Sequence, residues 1–207
     1  GAGRGFCTGQ DLGDRDPSKG ELPNLGETLK NYFNPNLRLI RDMPKPVVAA
    51  VNGAAAGAGA NIALACDIVL AARSAKFLQA FARIGLIPDA GGSWSLPRLV
   101  GPARARGLAM LAEPIGAETA EEWGLIWKAV NDDSLMAEAQ ETAMKLANGP
   151  TLGLVLTKQA MLAAATNSLE EQLLLEEQLQ ARAGASNDYR EGVSAFLEKR
   201  PAKFSGR

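Results

Sequence analysis

The chain has 207 residues, and 46% of them are hydrophobic, which is enough for a packed core. Its 22 Lys and Arg nearly balance its 23 Asp and Glu, so the composition excludes a basic nucleic-acid surface and a charged tail. No apolar run reaches transmembrane length, because Asp67 and Arg73 interrupt the longest one. The two cysteines, Cys7 and Cys66, are widely separated, which favours reduced thiols in a cytoplasmic protein over a zinc site or a disulfide framework.

The first half of the chain alternates short apolar runs with helical patterns. Residues 13–26 are polar and contain Pro and Gly, which predicts a mobile loop, and residues 28–43 show the pattern of an amphipathic helix. Apolar runs at 47–51 and 68–72 predict two buried strands, and the glycine-rich turn between them leads into a helix at 61–66. The order strand, helix, strand predicts a parallel sheet and an α/β fold.

The second half is predominantly helical in pattern. Helices are predicted at 102–110 and 117–123, a strand at 125–130, and further helices at 134–148, 150–165, 168–183 and 188–199. Ser168 and Glu171 have the spacing of a capping box at the start of one of these helices. The patterns divide the chain into an α/β core, residues 1–132, and a C-terminal helical region, residues 133–207.

Asp89 is the candidate catalytic residue. It lies alone in an apolar, glycine-rich stretch where few neighbours can solvate a carboxylate, so we expect its pKa to rise toward that of a working base. The chain contains no histidine, which removes the commonest general base and the commonest metal ligand, and no metal site is predicted. The alternative interpretation is a turn aspartate that follows Pro88 and caps a helix starting near Ser93. The residues alone allow both interpretations.

Gly57, Ala58 and Gly59 form a small-residue turn before a predicted helix. Their spacing matches neither Gly-x-Gly-x-x-Gly nor the Gly-Lys-Ser/Thr ending of a phosphate loop, so nucleotide binding is disfavoured. Small residues at this place leave backbone N–H groups at the positive end of the helix dipole, where they can hold a developing oxyanion. The alternative is that the small residues only let the helix pack closely on the sheet.

Several segments together resemble the enoyl-CoA hydratase/isomerase (crotonase) superfamily. They are residues 6–12, 47–59, 66–72, 85–92 and 196–204, and they follow the family's order over essentially the whole chain. The resemblance implies a crotonase-like ββα spiral with a C-terminal helical trimerisation region, assembled as a homotrimer or a dimer of trimers. The family's usual N-terminal strands and first helix have no counterpart in this sequence, so we expect the chain to begin inside the fold.

The resemblance also implies roles for individual residues. The family's two oxyanion donors correspond to the backbone N–H groups of Gln10 and Ala58, which would hold the thioester oxygen of an acyl-CoA substrate. No separate cofactor is implied, because coenzyme A is part of the substrate. The substrate-binding positions are Cys7, Gly9, Gly57, Asn61, Phe81, Pro88, Trp94 and Lys203, of which Lys203 would approach the coenzyme A phosphates.

Two departures from the family pattern favour isomerisation over hydration. The two glutamates that hydratases of the family use to activate and deliver water correspond to Asn61 and Phe81, and neither side chain can act as a general base. Asp89 corresponds to a position where isomerases of the family carry a catalytic aspartate. Residues 80–89, 122–127 and 187–196 resemble in particular the ring-epoxide isomerases of the family. The resemblance implies an isomerase that expands a ring epoxide of phenylacetate breakdown to an oxepin, with double-bond shifts in enoyl-CoAs as a side activity. Phe77, Phe81 and Trp94 could form an aromatic wall around the ring, or be ordinary core aromatics.

Three alternatives remain open. An aliphatic enoyl-CoA isomerase or hydratase of fatty-acid β-oxidation would use the same Asp89, and the pocket near Phe81 and Trp94 would distinguish it. A thioester hydrolase or dehalogenase would use Asp89 as a nucleophile, which covalent capture in a single turnover would reveal. A non-catalytic subunit would only bind acyl-CoA or assemble a larger complex.

Overall fold

In the computed structural model, which describes residues 1–16, 18, 20 and 24–207, the chain forms two compact units. The first unit comprises residues 1–43 and 47–139, and the second comprises residues 44–46 and 140–207. The division of domains after residue 132 stays a prediction. Of the predicted loop at 13–26, residues 17, 19 and 21–23 lie outside the described residues.

The strands are β1 Gly5–Cys7, β2 Val48–Val51, β3 Ala54–Ala56, β4 Ile68–Ala72, β5 Lys76–Leu78, β6 Ile115–Gly116 and β7 Lys128–Val130. The helices are α1 Leu25–Thr28, α2 Asn34–Asp42, α3 Ala58–Leu64, α4 Gly92–Leu111, α5 Ala117–Glu122, α6 Leu135–Ala147, α7 Thr151–Ala163, α8 Leu169–Gly184 and α9 Asn187–Leu197. A π-helical turn, Leu29–Phe33, joins α1 to α2, and 3-10 turns lie at Leu12–Arg15, Ala80–Ile84 and Asp132–Ser134.

The described strands of the first unit form two sheets. Strands β2, β4 and β7 are parallel neighbours in that order, and Val48 to Val51 pair with Ile68 to Ala71. The predicted parallel pairing of the two apolar runs is therefore confirmed. The other sheet has the order β1-β3-β5-β6, in which only the β5–β6 pair is antiparallel. Its short strands were not predicted, because Ala54–Ala56 has little intrinsic preference for a strand.

The main core of the first unit lies between the two sheets and the helices α3, α4 and α5. Val51 and Leu70 from the first sheet and Phe77 from the second are almost fully buried there. Each such side chain contributes roughly 1.5–3 kcal/mol by leaving water. Helix α3 contributes Ala60, Ala63 and Leu64 to this core, and its small residues let it pack close to the strands.

Helix boundaries follow from capping residues and prolines. The first helix begins at Leu25 rather than at residue 28, because the Asn24 side chain accepts hydrogen bonds from the N–H groups of Gly26 and Glu27. Helix α4 contains a break at Gly101, whose φ of 76° and ψ of 162° are not helical, and Pro102 begins the second segment as predicted. The predicted capping box of Ser168 and Glu171 is confirmed at the start of α8.

In the second unit, α9 holds the C-terminal residues by two carboxylates. Asp188 is buried and its carboxylate accepts hydrogen bonds from the backbone N–H groups of Ser205 and Gly206. Glu191 pairs with Arg200 and accepts from the Lys203 N–H at 2.7 Å, and these contacts lower the pKa of Glu191 to about 2. The ending of the chain around Lys203 therefore has a defined path along α9.

Among the described residues, the helices fall short of the length and apolar character that a membrane crossing requires.

Candidate active site

The end of β1 and the start of α3 lie against each other. Gly9 has a φ of 81°, and a Cβ added there would lie 3.2 Å from the Ala58 nitrogen and 3.3 Å from the Ala56 oxygen. A Cβ added at Gly59 would lie only 2.2 Å from the Cys7 carbonyl oxygen. The close approach of two backbone segments excludes a side chain at Gly59, and at Gly9 a tight approach is combined with a left-handed φ that favours glycine. The backbone of residues 9–10 and the first turn of α3 are held side by side.

Ala58 is the first residue of α3, so its N–H belongs to the first-turn amides that a helix cannot satisfy internally. Gly57 precedes it with a φ of 54° and donates its own N–H to the Leu78 carbonyl at 2.8 Å. The Gly57 carbonyl accepts from Asn61, which closes the first turn of the helix. The turn at residues 57–58 is therefore fixed between β5 and α3, with the Ala58 amide next to Gly9.

The Asp89 turn leads into α4 through two left-handed residues. Ala90 has a φ of 45° and Gly91 a φ of 76°, and an alanine in this region costs roughly 1–2 kcal/mol. Ala90 is buried with Ala58 and Leu37 in a small apolar cluster, so this packing offsets the strain and places the turn beside the start of α3. The structure thereby brings together Gly9, Ala58 and the Asp89 turn.

The Asp89 carboxyl group is half-buried. Within the part of the chain that the structure describes, its Oδ1 atom is buried and has no hydrogen-bond partner. Burial raises the pKa of Asp89 above its ordinary value, and only the residue's own backbone hydrogen bond opposes this shift. Asp89 lies in a turn after Pro88, as the alternative interpretation has it. The helix-cap part of that interpretation is wrong, since the residue at the N-cap position of α4 is Gly91 and not Asp89.

Asn61 lies on α3 and is almost fully buried, with 1% of its surface exposed. Its amide Nδ2 donates to the Asp89 main-chain carbonyl at 2.8 Å, and its Oδ1 accepts from Gln79 Nε2 at 2.9 Å. Gln79 was missed in the sequence. It is also buried, at 3% exposed, and a single polar residue between Phe77 and Phe81 was the signal that could have identified it.

The three aromatic residues have different surroundings. Phe77 belongs to the main core, so the interpretation as an ordinary core aromatic is the right one for it. Phe81 is buried, and its ring edge lies 3.7 Å from where a Cβ on Gly57 would be. The Trp94 ring lies under two guanidinium groups, with the Cζ atoms of Arg41 and Arg98 at 4.4 Å and 4.1 Å from its centroid. Trp94 thereby ties α2 to α4.

The remaining predicted site residues are Cys7, Gln10, Pro88 and Lys203. Cys7 is a half-buried free thiol at the end of β1, and Gln10 follows Gly9 in the same segment. Pro88 is half-buried and directly precedes Asp89. Lys203 lies in the second unit, so its approach to a coenzyme A phosphate stays a prediction. Among the described residues, His, Cys, Asp and Glu form no cluster of three or more that could hold a metal ion.

This chain belongs to the enoyl-CoA hydratase/isomerase family, whose family model matches residues 1–207. It is 57% identical over 209 residues to the 1,2-epoxyphenylacetyl-CoA isomerase of Escherichia coli, covering 100% of this chain and 79% of that protein. It is 38% identical over 168 residues to the trans-2-decenoyl-[acyl-carrier-protein] isomerase of Streptococcus mutans, covering 81% of this chain and 64% of that protein. Among solved structures, the enoyl-CoA hydratase of Bacillus anthracis superposes with a TM-score of 0.93 at 34% identity, covering 100% of this chain and 80% of that one. The crotonase-like fold and the family membership are thus confirmed.

Proposed function

We propose that the chain is an isomerase of CoA thioesters that converts 1,2-epoxyphenylacetyl-CoA to an oxepin-CoA in phenylacetate breakdown. The observation that carries the proposal is the half-buried carboxylate of Asp89, with an unpartnered Oδ1, beside the start of α3. It is supported by Asn61 and Phe81, the residues that the family resemblance predicts at the positions of the two hydratase glutamates. It is further supported by the similarity to the Escherichia coli isomerase.

The backbone N–H groups of Gln10 and Ala58 act on the thioester oxygen. They stabilise the negative charge that develops there when the carbon next to the thioester loses a proton. Asp89 accepts that proton, and the electron pair moves into the enolate. The carbon–carbon bond shared by the ring and the epoxide opens, and Asp89 returns the proton to a ring carbon. The product has the same atoms as the substrate, so one carboxylate is sufficient for the reaction.

A second candidate function is the shift of a double bond in a linear enoyl thioester. The similarity to the Streptococcus mutans decenoyl isomerase favours it. The chemistry uses the same parts, since Asp89 takes a proton from one carbon of the chain and returns it to another through the same enolate. We propose this Δ3,Δ2-enoyl-CoA isomerisation as a side activity of the same site.

The proposed function is tested by incubating the full protein with phenylacetyl-CoA epoxide and, separately, with a 3-enoyl-CoA. The products are identified by mass and by ultraviolet spectrum. We expect a product of unchanged mass and altered spectrum from each thioester, and faster turnover of the epoxide. Turnover of the enoyl-CoA alone would assign the second function, and turnover of neither would overturn both. Capture of a covalent adduct on Asp89 in a single turnover would instead indicate nucleophilic chemistry.

We expect hydration of crotonyl-CoA to be weak or absent. Water addition needs one group to activate the water and another to protonate the neighbouring carbon, and Asn61 and Phe81 can do neither. The measurement is the loss of enoyl-thioester absorbance together with a product heavier by one water, with a two-glutamate hydratase as the positive control. Hydration at a rate rivalling isomerisation would show that positions 61 and 81 have been misassigned.

We also propose that the protein acts in the cytoplasm as a homotrimer or a dimer of trimers, with Lys203 near the coenzyme A phosphates. The wide separation of Cys7 and Cys66 in the sequence supports the compartment, since it does not suggest the disulfide framework of a secreted protein. Large exposed apolar side chains in the second unit support the assembly, and they include Met161, Leu169, Leu174, Phe196 and Leu197. Sedimentation velocity tests the assembly, and a monomer at assay concentration would contradict it.

A further inference from the structure

The Asp89 turn is held by a chain of buried amides. Gln79 Nε2 donates to Asn61 Oδ1 at 2.9 Å, and Asn61 Nδ2 donates to the Asp89 carbonyl at 2.8 Å. The Gly92 backbone N–H donates to the same carbonyl, also at 2.8 Å. Two donors on one carbonyl oxygen fix the peptide plane after Asp89, from whose Cα the carboxyl side chain extends.

The orientations of the Asn61 and Gln79 side-chain amides follow from the group that Asn61 contacts, the Asp89 carbonyl. The Asp89 main-chain carbonyl can only accept, so Asn61 must present its NH₂ group to it. The Oδ1 of Asn61 then faces Gln79, which must in turn present its own NH₂ group. Each amide orientation is therefore determined by the next. A flip of Asn61 would set its oxygen against the Asp89 carbonyl and its NH₂ group against that of Gln79, so these two contacts specify one orientation, although Gln79 Oε1 has no partner among the described residues.

The absence of a side chain at Gly92 leaves space for the Asn61 amide. A Cβ at Gly92 would lie 2.2 Å from Asn61 Nδ2, so only glycine at the start of α4 permits this approach. The turn that the amide holds contains the left-handed Ala90, a conformation that persists only where its surroundings enforce it. The hydrogen bonds from Asn61 and Gly92 to the Asp89 carbonyl thus hold the strained turn that begins at Asp89.

We infer that Asn61, oriented by Gln79, is a positioning residue that aims the Asp89 carboxyl group at the reacting carbons. This inference rests on the proposed function, in which Asp89 is the base. Asn61 acts through the Asp89 main chain, where its NH₂ group donates to the carbonyl, although the family resemblance predicts Asn61 as a substrate-binding residue. Asn61, at the position of a hydratase glutamate, therefore positions the base of an isomerase.

The test compares Asn61→Leu with Asn52→Leu in the full protein. Both substitutions replace an amide by an apolar side chain of similar size, and Asn52 Nδ2 also donates to backbone carbonyls, those of Gly3 and Gly5. Steady-state kinetics use whichever thioester the parent isomerises. For Asn61→Leu we expect kcat to fall roughly 10- to 100-fold, as for a base displaced by a fraction of an ångström to an ångström, while KM stays within about threefold. For Asn52→Leu we expect kcat within about twofold of the parent.

Combination with Asp89→Asn separates positioning from general loss of structure. If Asn61 acts only through the Asp89 carboxylate, Asn61→Leu causes no further loss of kcat in the Asp89→Asn background. A loss that multiplies the loss caused by Asp89→Asn would overturn the inference, and so would a kcat of Asn61→Leu equal to that of the parent. If Asn61→Leu does not fold, Gln79→Leu takes its place, because it removes the donor that orients Asn61.

Hydrogen exchange of residues 84–92 gives a measurement that does not depend on the reaction. We expect faster exchange in this segment for Asn61→Leu and Gln79→Leu than for Asn52→Leu. Unchanged exchange would overturn the inference even if activity fell. If the parent isomerises no thioester, the proposed function fails, and the exchange measurement still decides whether Asn61 holds the turn.

Discussion

Asp89→Asn is expected to reduce isomerisation at least about 100-fold, which is the low end for the removal of a general base. The amide keeps the shape of the side chain but cannot accept the proton. Binding of the acyl-CoA is expected to stay within a few-fold of the parent, because the oxyanion donors proposed at Gln10 and Ala58 belong to the backbone. The measurements are kcat on the epoxide and on a 3-enoyl-CoA, and the dissociation constant of a non-reactive acyl-CoA.

The matched control for this prediction is Asp132→Asn. Asp132 is exposed and accepts a hydrogen bond from the Ser74 backbone N–H, far along the chain from the proposed site residues. The substitution Asp132→Asn should leave kcat unchanged. Residual turnover of Asp89→Asn above a tenth of the parent rate would contradict the assignment of Asp89 as the base.

The raised pKa of Asp89 sets the pH dependence. The ionised carboxylate is the working form, so kcat/KM falls as the pH drops through this raised pKa, and the acid limb lies above that of an exposed aspartate. The effect of pH on the free energy of unfolding has the opposite sign. The folded state favours the neutral carboxyl, so the stabilising contribution is present below the ordinary pKa and is lost as pH rises through the raised one. Asp89→Asn should therefore leave thermal stability at neutral pH unchanged or increased.

The sequence predicted the parts of the fold that carry strong local signals. The strands Val48–Val51 and Ile68–Ala72 are continuous apolar runs, and Ser168 with Glu171 has the spacing of a capping box, so both features were identified. The second sheet was missed, since β1, β3 and β5 have three residues each, too few for a period of two to emerge. Such strands form because their neighbours pair with them, which no local pattern records.

Asp89 could be singled out from the sequence as the candidate base, but the hydrogen bonds that hold its turn could not. Asp89 could be identified because a carboxylate among Ile, Pro and Gly is unusual wherever it lies in the fold. The hydrogen bonds from Gln79 through Asn61 could not, because they join the residue after β5, helix α3 and the turn before α4 across gaps of 18 and 28 residues. Contacts of that kind depend on the tertiary fold alone. The glycines at 9, 59 and 92 could not be explained from the sequence for the same reason, since the atoms that approach them belong to distant parts of the chain: backbone atoms at Gly9 and Gly59, and the Asn61 side chain at Gly92.

Gly59→Ala is the second substitution for which we expect a large effect. The new Cβ would lie 2.2 Å from the Cys7 carbonyl oxygen and 2.8 Å from its Sγ, and the backbone oxygen has no side-chain rotamer with which to move away. Strand β1 and helix α3 must therefore separate. Forcing extra volume into a packed site typically costs roughly 1–3 kcal/mol of stability, so the thermal midpoint should fall.

The same separation moves the two proposed oxyanion donors apart, because Gln10 follows β1 and Ala58 directly precedes Gly59. Loss of one such donor typically lowers kcat roughly 100- to 1000-fold, and we expect the folded Gly59→Ala protein to show a loss in this range. The control is Gly107→Ala in α4, where no described atom beyond the glycine's own helical surroundings lies within 4 Å of the added Cβ. That change should raise stability by about 0.5–1 kcal/mol, as alanine does in a helix, and leave kcat intact. A Gly59→Ala protein with parental kcat would show that the thioester oxygen is not held between these two segments, whatever the substitution does to stability.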